Sequence, residues 1–515
     1  MFIKIGMLVV FFAITLAIGL YCRKHSTDVN GFVLGGRSVG PWLTAFAYGT
    51  SYFSAVVFVG YAGQFGWKYG IAATWAGIGN ALLGSLMAWA FLGRRTRVMT
   101  QHLDSATMPQ FFEARFHSKA LKLAASAIIF IFLIPYTASL YNGLSRLFGM
   151  AFDIDYSVCV IMMAVLTAIY VIAGGYMATA INDFIQGIIM IGGIVAVIAA
   201  VLKGQGGFME ALHKLGQVSD PAVSETPGIF ASFFGPDPVS LLGVVLLTSL
   251  GTWGLPQMVQ KFYAIKSEQA INKGMVISTI FAAIVAGGCY FLGGFGRLFP
   301  VDVAREGFDA VIPTMLSGLP TVLIAVVVVL VLAASMSTLS SLVLTSSSTL
   351  TLDFIKGTLV KKMDEKKQLL TMRALIVVFI LISVVLAIVQ YKSNVTFIAQ
   401  LMGVSWGALA GAFLAPFLFG LYWKKATRAS VWCSFIFSTV VMLGNIVAKP
   451  LFPAILQSPI NAGAFCMIAG LIIVPVVSLF TPKMDKMYVD QVFSCYDRTV
   501  VVHVTDSIGD TQNQK

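Results

Sequence analysis

The chain repeats apolar segments of about 20 residues, and this repetition restricts its possible folds more than any other feature. A helix of roughly that length crosses the hydrocarbon core of a bilayer. Of the 515 residues, 58% are hydrophobic and only 11% are charged, which is far from the balance of a soluble domain. The sequence therefore predicts an all-α, multi-pass integral membrane protein of a plasma or inner cell membrane, surrounded by the lipid bilayer.

We count about 13 apolar segments that are long enough to span a bilayer. An odd number places the two chain ends on opposite sides of the membrane. With the N-terminus outside, about 25 of the 34 Lys and Arg residues, Lys261 among them, lie in cytoplasmic segments, as the positive-inside rule requires. The C-terminus is then cytoplasmic. The expected spans are 3–21, 41–65, 70–92, 121–146, 156–174, 182–202, 238–258, 275–297, 318–345, 372–391, 396–420, 429–448 and 461–480.

Two of these spans are interrupted by residues that break helices. The second span reads GTSYFSA from Gly49, and the seventh reads LGTWGLPQ from Leu250 to Gln257, with Pro256 inside it. Proline removes a backbone donor, and glycine permits unusual dihedral angles. A proline kink without function, which is common in membrane helices, is the alternative. Without the first span, these segments are helices 1 and 6 of ten, and such paired interruptions indicate an inverted-repeat transporter.

This count divides the chain into a transport core and flanking parts. We expect a first flanking helix and cytoplasmic loop over residues 1–40 and a ten-helix core over 41–425. The core consists of a first repeat, about 41–202, and a second repeat, 238–425. Two further flanking helices over 426–480 and a cytoplasmic tail over 481–515 complete the prediction.

The ninth span contains a cluster of hydroxyls, AASMSTLSS from Ala333 to Ser341. Hydrocarbon offers Ser337 and Thr338 no hydrogen-bond partner, so they must face protein, water or an ion. Small hydroxyl residues also permit close helix packing, which is the alternative explanation. In an inverted-repeat transporter this span is helix 8, which runs beside helix 1, and the cluster is then a candidate cation site.

Charged residues are rare inside the spans, and Asp183 draws notice at the predicted cytoplasmic start of the sixth. Its carboxylate could pass cations to the cytoplasm, or it could cap the helix N-terminus. Tyr136 would place a phenol at mid-membrane, where packing is the simpler explanation. Trp253 is similar, although its position in an interrupted span favours ligand contact.

Other classes of protein are disfavoured. The six cysteines are scattered without a CxxC pattern, so neither a disulfide framework nor a metal cluster is expected. The spans lack the His, Glu or paired carboxylates of an enzyme, and they lack the carbonyl filter or acidic ring of a channel. A membrane solute sensor would need a signalling domain, for which about 35 residues after the last span are too few. The net charge of +12 reflects one basic membrane face, so neither nucleic acid nor an obligate protein partner is indicated.

Eight short motifs, in order along nearly the whole chain, resemble the sodium:solute symporter family and most of all its bacterial proline and pantothenate branches. The resemblance implies a LeuT-type 5+5 inverted repeat with flanking helices. The motifs are GGRSVGP at Gly35, GTSYFSA at Gly49, PYTAS at Pro135, IAGGY and NDFIQG around Gly174 and Asp183, GLPQ at Gly254, MSTLS at Met336 and GLYW at Gly420.

The resemblance also implies a sodium site and a solute site. The sodium ligands would be the backbone carbonyls of Thr50, Phe53 and Ala334 and the side chains of Ser337 and Thr338. Asp183 matches the family's acidic residue at the start of helix 5 and is a candidate exit point for sodium. The solute would bind between the two interrupted helices, in contact with Ser51, Tyr52, Ser54, Tyr136, Trp253, Pro256 and Gln257.

The expected function is Na+-coupled uptake of a small carboxylate-bearing organic solute, with Na+ as the coupling ion. The proline branch carries an aspartate where this chain has Tyr52, and the pantothenate branch is more similar there. Proline or a similar amino acid is the first expectation for the solute. Pantothenate or a short monocarboxylate is the alternative.

Overall fold

The structure, a computed structural model, describes residues 2–23, 27–152, 155–356, 358–360, 362–393 and 398–497, without the side chains of Tyr52, Gln390 and Ser393. These residues form helices and connecting turns, and no β-strand occurs among them. Of the predicted tail over 481–515, the structure describes residues 481–497, which include the helix Lys486–Phe493, and the remainder lies outside the described residues. The predicted all-α class is confirmed.

Ten helices of the described part are long and apolar enough to cross a membrane, or 11 if one bent pair is a single span. Two of them, with 47 and 49 residues, are about twice as long as one crossing needs. The total of about 13 spans stays a prediction, because it treats each of these two as two crossings. The ten helices are Phe2–Cys22, Val56–His102, Lys119–Phe152, Tyr156–Gly204, Glu268–Gly293, Thr321–Ile355, Glu365–Val389, Ile398–Tyr422, Arg428–Val447 and Pro459–Phe480.

The helix Tyr156–Gly204, here called the kinked helix, changes direction at Gly175. Gly175 has φ +56°, a conformation that favours glycine, and a Cβ there would lie 2.9 Å from the ring of Phe32. The close approach of the segment Val29–Leu34 therefore also requires glycine. Asp183 lies eight residues beyond this kink, more than two helical turns into the second half.

Both interruptions predicted from the sequence are present. The first broken helix consists of Pro41–Tyr52 and a second half through Val56–Tyr61 and Ala62–Tyr69, and Phe53 between the halves is extended. The second broken helix consists of Pro238–Gly254 and Pro256–Ala264, which are bent by 46° at Leu255. Pro256 begins the second half, where its missing N–H removes no helical hydrogen bond.

The helix Thr321–Thr349, here called the hydroxyl helix, packs against the first broken helix, the kinked helix and Lys119–Phe152. Every residue from Val327 to Thr349 is buried, although many are Ser or Thr. Several of these hydroxyls donate to the carbonyl three or four residues earlier, as Ser335 does to Val331 and Ser348 to Thr345. Such bonds allow a polar helix to remain continuous in an apolar core.

Candidate sodium and solute site

Five oxygen atoms of the predicted sodium site lie together where the hydroxyl helix passes the break in the first broken helix. The Ser337 hydroxyl lies 3.0 Å from the carbonyl oxygens of both Thr50 and Ala334. The Thr338 hydroxyl lies 3.1 Å from the same two carbonyl oxygens and 3.4 Å from that of Phe53. All five residues are fully buried. The structure thus brings together every atom that the resemblance assigned to sodium.

The break explains why these carbonyls are free to form a site. In a continuous helix the carbonyl of Thr50 would accept from the N–H group four residues later. Phe53 leaves the helical conformation, with φ −86° and ψ 120°, and its own N–H closes the last bond of this half, to Gly49. The carbonyls of Thr50 and Phe53 are consequently available to the two hydroxyls. Neutral oxygens at this spacing suit a hard monovalent cation such as Na+.

Asp183 is buried beside Lys261, and two sequence interpretations change as a result. Asp183 is 0% exposed and lies well inside the kinked helix, so the helix-capping alternative is wrong. Lys261, counted above among the basic residues of cytoplasmic segments, is 2% exposed within the second broken helix, so it does not lie in a solvent-exposed loop. Its ammonium nitrogen lies 4.0 Å from a carboxylate oxygen of Asp183. The burial of Lys261 was not predicted from the sequence, because a single Lys near the end of a span normally extends its ammonium group to solvent.

Ser51 and Ser54, predicted to contact the solute, face in different directions. The Ser51 hydroxyl lies 2.9 Å from that of Ser341 on the hydroxyl helix. The Ser54 hydroxyl accepts from the N–H of Val56 at 3.2 Å and thereby caps the second half of the first broken helix. Ser54 also lies close to the phenol of Tyr136. Of the two serines, Ser54 is the one at the break, next to the candidate solute region.

Tyr136 forms part of a buried aromatic group at this level. Its ring meets that of Trp406 edge to face, with centroids 5.9 Å apart. Trp406 also lies against Gly251 of the second broken helix, where a Cβ would be 2.7 Å from its ring. The Tyr136 hydroxyl lies close to Ser54 and to Trp406, but neither this hydroxyl nor the Trp406 indole N–H forms a hydrogen bond of normal geometry with the described residues. Two unused donors between the two breaks are what a polar solute needs.

Three of the other predicted solute residues, Trp253, Pro256 and Gln257, are buried at the second break. Both amide atoms of Gln257 lack a partner within the described chain, so this side chain can still bind a ligand. Trp253, in contrast, donates its indole N–H to the carbonyl of Leu83 at 2.9 Å, and its ring packs near Phe91. Pro256 begins the second half of the helix. Tyr52 ends the first half of the other broken helix, and its side chain lies outside the described residues.

Trp406 was not identified from the sequence as a residue of the candidate solute region, although its position within an apolar segment could have indicated this role. It is the one Trp inside the apolar run Ile398–Tyr422, where an indole N–H needs a partner. Asn80 and Tyr290 are comparable: both are buried, and the Tyr290 hydroxyl and the Asn80 amide nitrogen lack partners in the described part. None of the three lies in an interrupted segment, and only packing of distant helices shows that Trp406 belongs to the site.

Polar contacts close the structure at one end of the first broken helix and at the nearby end of the hydroxyl helix. Arg37, just before this helix, donates to the carbonyls of Tyr263 and Ser105 at 3.3 and 2.7 Å. Asp353, near the end of the hydroxyl helix, accepts from Thr107 at 2.6 Å and from Gln110 at 2.8 Å. By the predicted topology this is the cytoplasmic side. These bonds hold the ends of both site-forming helices to neighbouring segments.

Replacing Asp353 by Ala should loosen this closure. Hydrogen bonds to a charged group contribute about 1.5–3 kcal/mol each, so losing one should increase local opening roughly tenfold or more. We expect faster hydrogen exchange in Met108–Phe116, the helix that Thr107 caps. Asp364→Ala, which changes an exposed acid nearby, should leave exchange unchanged. Equal exchange in the Asp353 variant and the wild type would contradict the role assigned to these bonds.

The opposite end of the first broken helix lines a polar cavity of about 510 Å³. Its walls carry charges of both signs: Lys68, Asp220, Asp237 and Arg297. Arg297 and Asp220 form an ion pair at 2.9 Å. A cavity of this size can admit a small organic molecule. Its mixed charges are compatible with a zwitterion as well as with an anion.

Two broken helices around buried polar atoms, in a bundle of membrane-length helices, define a helical membrane transporter with the LeuT-type 5+5 inverted repeat. The sodium:solute symporter family matches residues 32–437, and the chain belongs to that family. The protein is therefore a transporter of the sodium symporter class rather than an enzyme, and the family prediction is confirmed.

Individual relatives are similar over nearly the whole chain. The sodium/proline symporter of Staphylococcus aureus (strain JH9) is 31% identical over 495 residues, which are 93% of this chain and 92% of the relative. A Na+-coupled sialic acid symporter, solved in a substrate-bound outward-open state, has a TM-score of 0.75 at 17% identity and covers 94% of this chain and 99% of its own. A manganese transporter of Eremococcus coleocola has a TM-score of 0.50 at 12% identity, covering 88% and 96%. At such identities the two solved structures show the fold alone.

Proposed function

We propose that this protein couples the inward movement of Na+ to the uptake of a small carboxylate-bearing solute, proline or a similar amino acid. The observation that carries the proposal is the group of five buried oxygens from Thr50, Phe53, Ala334, Ser337 and Thr338. Family membership supports sodium as the coupling ion. The name of the S. aureus relative supports proline as the first solute to test.

Sodium would join the broken helix to the hydroxyl helix. The hydroxyls of Ser337 and Thr338 now donate to the carbonyls around them. A cation among the five oxygens would be bound by lone pairs, so both hydroxyl protons would turn away from it. The cation would then replace hydrogen bonds between the two helices with stronger ion–oxygen contacts. Sodium binding would therefore stabilise the relative position of the two halves of the broken helix that solute binding requires.

The solute would bind between the two breaks. The helix half that begins at Pro256 directs its positive dipole end toward this region, which favours a carboxylate. Gln257, Tyr136 and Trp406 supply polar groups that form no hydrogen bond of normal geometry with the described residues. The aromatic faces of Tyr136 and Trp406 suit a compact apolar body such as a pyrrolidine ring. Because the two ligands bind adjacent parts of one helix, each should raise the affinity for the other.

A panel of solutes in proteoliposomes tests the proposal. With sodium outside and the interior negative, we expect accumulation of labelled L-proline or a similar amino acid, and none when potassium replaces sodium. A potential of about 100 mV acting on one net charge corresponds to roughly 50-fold accumulation. Pantothenate and short monocarboxylates should be transported less well. Accumulation of a solute without sodium would contradict the coupling, and sodium-driven uptake of pantothenate alone would contradict the solute class.

The alternative solute class has support of its own. Tyr52 occupies the position where the proline branch carries an aspartate, so a carboxylate expected near an amino group is absent there. A solute with a carboxylate but no amino group, such as a short monocarboxylate, would fit this substitution. Competition between proline and each monocarboxylate in the same panel decides between the two.

A further inference from the structure

Lys261 is the one charged side chain of the second broken helix, and it is buried against two other helices. Its ammonium nitrogen donates to the hydroxyl of Ser341 at 3.0 Å. It also lies 5.1 Å from the centre of the Tyr176 ring, a distance that suits a cation–π contact, and 4.0 Å from Asp183. A single lysine thus connects the second broken helix to the hydroxyl helix and to the kinked helix.

The contacts of Lys261 continue to the candidate sodium site. Ser341, which accepts from Lys261, is 2.9 Å from the hydroxyl of Ser51. Ser51 follows Thr50 directly in the first broken helix, and Ser341 lies one helical turn beyond Ser337 and Thr338. The ammonium therefore contacts a residue one helical turn away from Ser337 and Thr338, on the side where the hydroxyl helix runs toward Asp353.

Asp183 depends on Lys261 for its charge compensation. Neither carboxylate oxygen of Asp183 accepts a hydrogen bond from the described residues, and its side chain is fully buried. A buried carboxylate without hydrogen bonds needs a counter-charge close by. Among the described residues, only Lys261 places a cationic group within 4.0 Å of this carboxylate. The pair is neutral overall, and a sodium ion arriving at Asp183 would disturb that balance.

We propose that the Lys261 ammonium is a tethered cation that competes with sodium for Asp183. This inference rests on the proposed function, because it assumes that sodium leaves the five-oxygen site toward Asp183. When sodium reaches this carboxylate, the ammonium loses its counter-charge and swings away, which breaks its bond to Ser341. The second broken helix is then released from the hydroxyl helix. Departure of sodium and inward opening thereby become one event.

Removal of the tethered cation tests the proposal, because its predicted effect is opposite to that of simple damage. In Lys261→Met the side chain keeps its length and loses its charge, and Asp183 becomes free to hold sodium. We expect the purified transporter to bind 22Na+ roughly tenfold more tightly than the wild type. Uptake should be slower, because sodium leaves less readily. A residue that only stabilises the fold would not increase sodium affinity when it is removed.

Three further variants make the outcome decisive. Lys261→Arg, which keeps a cation, should bind sodium as weakly as the wild type. It is the variant to measure if Lys261→Met does not fold. Lys261→Met combined with Asp183→Asn should lose the gain in affinity. Lys266→Met, an exposed lysine five residues further along, should change nothing. Unchanged or weaker sodium binding in Lys261→Met would overturn the inference, whereas absence of sodium binding by the wild type would overturn the proposed function itself.

Discussion

Replacing Thr338 by Ala should raise the sodium concentration that gives half-maximal uptake by roughly 10- to 100-fold. The Thr338 hydroxyl lies within 3.4 Å of all three carbonyl oxygens of the proposed site. The change removes one of five ligands and one of the two hydroxyls that contact the carbonyls of Thr50 and Ala334. Interactions of a polar group with a charge contribute about 1.5–3 kcal/mol, which gives the expected range.

Matched variants separate loss of the ligand from damage to the helix. Thr338→Ser keeps the hydroxyl and should retain most of the sodium affinity. Ser348→Ala, in the same helix, removes a buried hydroxyl that bonds only to its own helix and should leave sodium activation unchanged. The measurement is the initial rate of solute uptake as a function of sodium concentration at saturating solute. If the Thr338→Ala variant matched the wild type, the sodium site would be misassigned.

Replacing Gly293 by Ala should strongly destabilise the transporter. A Cβ at Gly293 would lie 2.1 Å from the carbonyl oxygen of Ala62, and one at Gly66 would lie 1.9 Å from the carbonyl oxygen of Gly293. The backbones of Glu268–Gly293 and of the first broken helix are therefore in direct contact, which only small residues permit. Inserting a methyl group must separate the two helices, at a loss of about 1–3 kcal/mol or more.

The same helix provides a control for this substitution. A Cβ at Gly287 would meet nothing within 4 Å, so Gly287→Ala should be neutral or slightly stabilising, because Ala favours a helix by about 1 kcal/mol over Gly. Thermal unfolding of the purified protein, with yield of monodisperse material as a second readout, compares the two. Equal melting temperatures for both variants would show that the two helices can separate without loss of stability, which would contradict the prediction. Solute affinity should also fall in Gly293→Ala, since the outer half of the broken helix would shift.

The amino-acid sequence alone predicted the membrane class, the two broken helices and the hydroxyl cluster. Apolar length, proline, glycine and unsatisfied hydroxyls act within one or two helical turns, so their consequences can be read locally. The resemblance added which carbonyls and hydroxyls should meet. The contacts of Ser337 and Thr338 with the carbonyl of Thr50, about 290 residues away in sequence, required the folded chain.

Other features were decided by tertiary structure alone. Asp183 looked equally suited to capping a helix, and only the kink at Gly175 shows that it lies deep within one. Lys261 looked like a loop residue, and only the packing of the second broken helix brings its ammonium to Asp183 and Ser341. Trp406 joined the candidate solute region for the same reason. A local pattern reports the polarity of a side chain and the path of its own helix, whereas its partner depends on how distant helices cross.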